Sequence, residues 1–250
     1  MTFSFRPAAR RGFALTVFLS SILFACEPAS AQLEDRRVRS LVQFDLFEYQ
    51  AHEQANALRW DAFAWVGRDY DRLWLKSEGQ QSVEGASAGI TEVQALYARL
   101  VAPFWYLQTG WRFEALNGPG DDRSRSLGVL GVQGLAPYRF DTEAALFVSE
   151  DADVSARLTT TYDLLLTQQL VLQPRLDTNL AATSARRFGI GKGLNDLELG
   201  LRLRYEVRRE FAPYVGVSWL RAFGDTADLA EEEGDEIERV SVVAGLRFWF

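Results

Sequence analysis

The last twelve residues, Arg239–Phe250, alternate without interruption. Val240, Val242, Ala244, Leu246, Phe248 and Phe250 form one apolar face, while Arg239, Ser241, Val243, Gly245, Arg247 and Trp249 form a face that carries the polar groups. A period of two is that of an extended strand. A strand with one greasy and one polar face lies between two different media. Either the greasy face covers a soluble core and the polar face meets water, or the greasy face meets lipid and the polar face meets a lumen.

The same alternation recurs along the chain. Strands are expected at about Leu41–Gln50, Ala57–Val66, Tyr70–Glu78, Thr91–Val101, Tyr106–Ala115, Ser126–Leu135, Tyr138–Ser149, Val154–Leu165, Gln169–Ala181, Leu197–Arg208, Phe211–Ala222 and Arg239–Phe250. The tenth is the clearest: Leu197, Leu199, Leu201, Leu203, Tyr205 and Val207 alternate with Glu198, Gly200, Arg202, Arg204, Glu206 and Arg208. Short and long connections roughly alternate, and the count is even, as in single-chain bacterial barrels. The expectation is an all-β fold, an antiparallel transmembrane β-barrel of about twelve strands.

Details follow from the same pattern. In the first strand Val42, Phe44 and Leu46 share the outward face. The fourth is irregular, because Leu96, Ala98 and Leu100 fall on its polar side. Gly128, Gly131 and Gly134 in the sixth suggest curvature or a close backbone, and Pro174 argues against a regular ladder in the ninth. Thr183–Asn195 and the acidic Gly224–Glu238 read as loops. Trp60, Trp65, Trp105, Trp111, Tyr138, Trp219 and Trp249 could supply aromatic girdles.

The start of the chain has the layout of a secretory signal peptide: Arg6, Arg10 and Arg11, an apolar run from Gly12 to Ala25, and Ala29-Ser30-Ala31 before Gln32. The run is shorter than a spanning helix requires. The chain therefore divides into a signal peptide (1–31), a short periplasmic lead-in (32–40) and the barrel (41–250). Leu23-Phe24-Ala25-Cys26 resembles a lipoprotein site, with Phe24 larger than that pattern prefers; Cys26 is the sole cysteine, so no intrachain disulfide is available. The formal net charge of −7 becomes −9 once residues 1–31 are removed, which excludes nucleic acid as a natural partner.

Pointed inward, the polar faces carry Arg59, Asp61, Arg72, Lys76, Glu78, Arg112, Glu114, Arg139, Asp141, Glu143, Arg157, Asp163, Arg175, Asp177, Glu198, Arg202, Arg204, Glu206, Arg208 and Arg247. Both signs are nearly balanced, which suits a salt-bridge network filling a narrow barrel; a polar path through the lumen is the alternative. His52 is the one imidazole, placed in a turn beside Glu53, and no serine has a visible pairing with it, so no enzyme activity is expected. His52 and Glu53 are the weak candidates for a metal, since one imidazole makes no chelate.

Six stretches resemble the copper resistance protein B family of bacterial outer-membrane proteins: Trp74–Gly79, Arg99–Trp105, Gly131–Tyr138, Thr167–Arg175, Gly189–Leu194 and Gly200–Gly216. The resemblance covers about residues 40–250. It implies an outer-membrane location, lipid as the surrounding partner, periplasmic copper-resistance proteins as candidate partners, and a role in binding or sequestering copper ions at the envelope. Many members carry a Met- and His-rich segment before the barrel; here Gln32–Ser40 has neither, and residues 32–250 contain no Met, no Cys and one His. A thioether copper site is therefore impossible there. The alternative is a structural or passive small-solute barrel without metal binding.

Overall fold

A computed structural model of the protein describes residues 37–52, 56–83, 89–117 and 122–250. The signal peptide, Cys26 and Glu53 lie outside them. Thirteen strand segments follow in order: β1 (Arg39–Ala51), β2 (Ala57–Gly67), β3 (Asp71–Ser82), β4 (Gly89–Ala102), β5 (Trp105–Asn117), β6 (Arg123–Ala136), β7 (Phe140–Ser149), β8 (Val154–Thr161), β9 (Leu164–Leu165), β10 (Leu170–Ala181), β11 (Gly193–Tyr205), β12 (Phe211–Ala222) and β13 (Glu238–Trp249). β1 thus begins inside the expected lead-in.

Each strand runs antiparallel to its neighbours, and β13 pairs with β1, so the sheet closes on itself. The seam is sealed by Val42 N donating to Phe250 O (3.2 Å) and Phe250 N donating to Val42 O (2.9 Å), with Phe44 stacked on Phe248. β8 and β9 both pair with β10 and make one interrupted wall strand, giving a twelve-strand barrel. The interruption has a local cause. Tyr162 N donates to Pro174 O, but Pro174 has no N–H to return, so the ladder loses a bond there.

The apolar faces point away from the lumen. Leu199 and Leu201 are each 43% exposed, and Val240 and Val242 each 62%, whereas Arg202, the residue after Leu201, is 1% exposed. Among the strands this greasy belt is far larger than a soluble monomer tolerates. Inside, Leu96 and Ala98 join Trp74, Leu127, Val129, Ala145 and Phe147 in an apolar cluster. The irregularity of the fourth strand is therefore real: part of the lumen wall is greasy too.

Connections Arg68–Tyr70, Pro103–Phe104, Pro137–Arg139, Leu166–Gln169 and Glu206–Glu210 lie at one end with Phe250; the others, among them the two longest at 182–192 and 223–237, lie at the opposite end. At the short-turn end Tyr70, Phe104, Tyr138, Phe140, Tyr205, Phe211 and Phe250 are all exposed, as a ring of aromatics at a lipid–water boundary would be. Of the girdle expected from sequence, Tyr138 belongs here, but Trp65 does not: it packs inward against Trp74.

Four expectations need correction. A bulge in β1 sets Asp45 and Leu46 together opposite Asp61, so Leu46 turns inward and is buried, and the phase of the remainder of β1 reverses. The acidic segment forms a helix, α1 (Gly224–Glu233), with Leu229 buried and Thr226 Oγ1 accepting from Gly191 N at 2.9 Å. Gly193–Asn195 belongs to β11 and not to the preceding loop. Arg139 and Arg208 lie in turns, exposed, and contribute nothing to the lumen; Tyr138 and Arg139 both have left-handed backbones (φ 64° and 68°) that no strand allows.

The lumen as candidate functional site

The inward charges form linked clusters. The deepest joins β1, β11 and β12. Arg202 Nε and Nη2 each donate to Glu48 at 2.9 Å, and Glu48 also accepts from Tyr214 Oη (3.1 Å) and Gln50 Nε2 (2.9 Å). Two glycines make room for it. A Cβ on Gly200 would lie 2.2 Å from Arg202 Nη1, and one on Gly245 would lie 2.6 Å from Tyr214 Oη. The bidentate geometry matters because charge-assisted hydrogen bonds offset the desolvation of a buried pair; Arg202 Nη1, which faces Gly200, has no partner among the described residues.

A second cluster spans β3, β4, β5, β6, β8 and β10. Arg112 donates to Glu92 and to Glu114 (2.9 Å), Arg125 grips both Glu114 oxygens at 2.9 Å, and Arg157 donates to Glu92 (2.9 and 3.0 Å), Glu78 (3.0 Å) and Asn179 (2.9 Å). A third joins β2, β10 and β11: Arg175 to Asp61 (3.0 Å) and Asp177 (2.7 Å), and Arg59 to Glu198, which also accepts from Ser218 Oγ (2.7 Å). Lys76 Nζ reaches Glu143 (2.6 Å), Gln133 (3.2 Å) and Gln108 (3.4 Å). Nearer the short-turn end, Arg204 pairs with Asp163 (2.8 Å) and Glu206 (3.4 Å), and Arg247 with Asp45 (3.1 Å). Arg72 is held by rings, with its guanidinium 4.1 Å from Trp65 and 4.7 Å from Tyr106. Asp141 lines the lumen beside Glu143.

Sequence reasoning left out Glu48, Asp45, Glu92, Arg125 and Tyr214. Glu48 was hidden by the bulge, which inverts its parity. Arg125 lies in a stretch that reads as a turn, yet Arg123, Arg125, Leu127 and Val129 continue one alternation inward; that signal was available.

His52 sits just past β1 at the long-loop end, beside a cavity of about 630 Å³ that Asp235, Glu236 and Arg239 also line. Its Nδ1 is buried with no hydrogen-bond partner among the described residues. Burial, followed by the field of Arg239, holds its pKa below the usual imidazole value against the opposing pull of Glu236, so the ring stays neutral at neutral pH. Among the described residues no group of three or more His, Cys, Asp or Glu is arranged to hold a metal ion. Chemically, the lumen can order water and attract or repel ions.

Comparison with known proteins gives a consistent family and fold. The family described as "Copper resistance protein B precursor (CopB)" matches residues 38–250. Copper resistance protein B of Escherichia coli is 42% identical over 218 residues, 87% of this chain and 72% of that protein. The copper resistance protein B homolog of Pseudomonas syringae pv. tomato (strain ATCC BAA-871 / DC3000) is 39% identical over 219 residues, 88% of this chain and 72% of that protein. Among solved structures, the KdgM porin (TM-score 0.50, 12% identity, 84% of this chain and 99% of that one) and outer membrane phospholipase A from Escherichia coli (TM-score 0.51, 9% identity, 83% and 92%) share the fold.

Proposed function

Because this chain belongs to the copper resistance protein B family, we propose that it serves copper tolerance from the bacterial outer membrane and binds copper ions at the envelope. One observation carries the reading: the family match runs over residues 38–250 and is therefore a property of the barrel itself. The signal-peptide layout of residues 1–31 supports export, and the short-turn end, with its aromatic ring, would face the periplasm.

The donor set limits how copper is held. With no thioether or thiol in residues 32–250, the barrel offers oxygen donors and one imidazole, a set suited to Cu(II) and not to Cu(I). His52 would supply at most one donor: its neutral ring lines the same cavity as Asp235 and Glu236, but among the described residues no three such groups converge on one metal position. Copper is cargo in this reading, and the role is non-catalytic.

The test is copper retained per purified barrel after desalting, beside an unrelated acidic barrel of similar charge. The wild type is expected to retain more copper than the control, and His52→Ala to fall to the control level. Equal copper on wild type and control would remove the binding role and leave the passive small-solute barrel, the reading that the lack of soft ligands favours.

A further inference from the structure

Three cavities run in series along the barrel. The mouth cavity of about 630 Å³ shares Gln80 and Ile90 with an upper chamber of about 190 Å³, and the upper chamber shares Asp61, Glu78, Arg157 and Arg175 with a lower chamber of about 80 Å³. The lower chamber reaches the short-turn end beside exposed Asp141 and half-buried Thr161. A path from the upper to the lower chamber has to pass the layer of four charged residues common to both, Asp61, Glu78, Arg157 and Arg175.

That layer is a latch between opposite walls. Asp61 and Glu78 are directly cross-strand on β2 and β3, two like charges side by side, an unfavourable pairing on its own. Arg175 of β10 and Arg157 of β8 reach across to them, each at 3.0 Å. Both arginines have a second anchor above the layer, Arg175 on Asp177 (2.7 Å) and Arg157 on Glu92 (2.9 Å). If the waist pairs part, neither arginine loses its last carboxylate, while Asp61 and Glu78 are left as a pair of acids facing water. The residues lining the two chambers include nine acids, among them Asp45, Asp141 and Asp196, against Arg59, Lys76, Arg157 and Arg175. Such a lining attracts cations and repels anions.

We propose that the lumen is a cation-preferring ion path held shut at its waist by the Asp61–Arg175 and Glu78–Arg157 pairs. The inference is independent of copper, and potassium chloride is the probe. In planar bilayers the wild-type barrel should pass little current. Arg157→Ala/Arg175→Ala should raise single-channel conductance several-fold, with a reversal potential shifted towards that of potassium in a salt gradient. Asp61→Asn/Glu78→Gln should also open the path, but with weaker cation preference. A mobility shift on boiling certifies that each variant is folded. If the arginine variant does not fold, the acid variant decides alone: silence from it overturns the proposal. Wild-type conductance equal to that of the folded variants overturns it, as does anion preference in the arginine variant.

Discussion

Arg202→Ala should destabilise the barrel by about 3–5 kcal/mol, the cost of leaving the other member of a buried ion pair uncompensated. Glu48, buried at 1% exposure, would keep only Tyr214 Oη and Gln50 Nε2 as donors. The guanidinium that fills the space above Gly200 would also be missing. Arg202→Ala combined with Glu48→Ala should cost less than Arg202→Ala alone, because no buried charge is then stranded. Reversible denaturant unfolding in lipid vesicles measures both. A single variant within about 0.5 kcal/mol of wild type would show that the pair is solvated, contrary to the packing described.

Three residues away on the opposite face, Leu199→Arg is expected to cost about 2–4 kcal/mol, the penalty for arginine on the lipid face near the bilayer midplane. Leu199 is the midpoint of β11, 43% exposed, and faces away from the lumen. The effect should depend on depth. Val207→Arg lies beyond the end of the same strand, in the turn before Phe211, and should cost about 0–1 kcal/mol. Equal, near-zero costs at both positions would mean that the outer face meets water. At Arg202 losing a charge is expensive, and at Leu199 gaining one is.

The fold was legible in the sequence to the extent that alternation was uninterrupted. β11 and β13 show their two faces residue by residue, and the closure of β13 on β1 follows from their number and direction. What escaped was decided by contacts that are remote in sequence. The bulge at Asp45 and Leu46 depends on the pairing with Asp61, and nothing local marks it; with it went Glu48, the centre of the deepest cluster. The helix α1 has acidic residues and little apolar periodicity, and it is held by tertiary contacts, Leu229 in its packing and Thr226 on Gly191. Arg139 and Arg208 continued an alternation past the point where the chain turned, so parity alone placed them inside.

The lumen was legible as a composition and not as a wiring. Sequence placed most of its charges on one face and so indicated a paired interior. It gave no means of seeing that Arg157 and Arg175 each hold two acids, or that Arg72 lies against two rings. Those arrangements depend on which walls face one another, and that is fixed only when the sheet closes.

Hydrocarbon lies against the leucine and valine faces if the barrel spans a membrane. Electrophoresis of the membrane-extracted protein in detergent, with and without boiling, tests it most directly. A closed barrel in the membrane fraction should resist unfolding until boiled and then change mobility. Identical mobility before and after boiling, with the protein recovered in the soluble fraction, would contradict it.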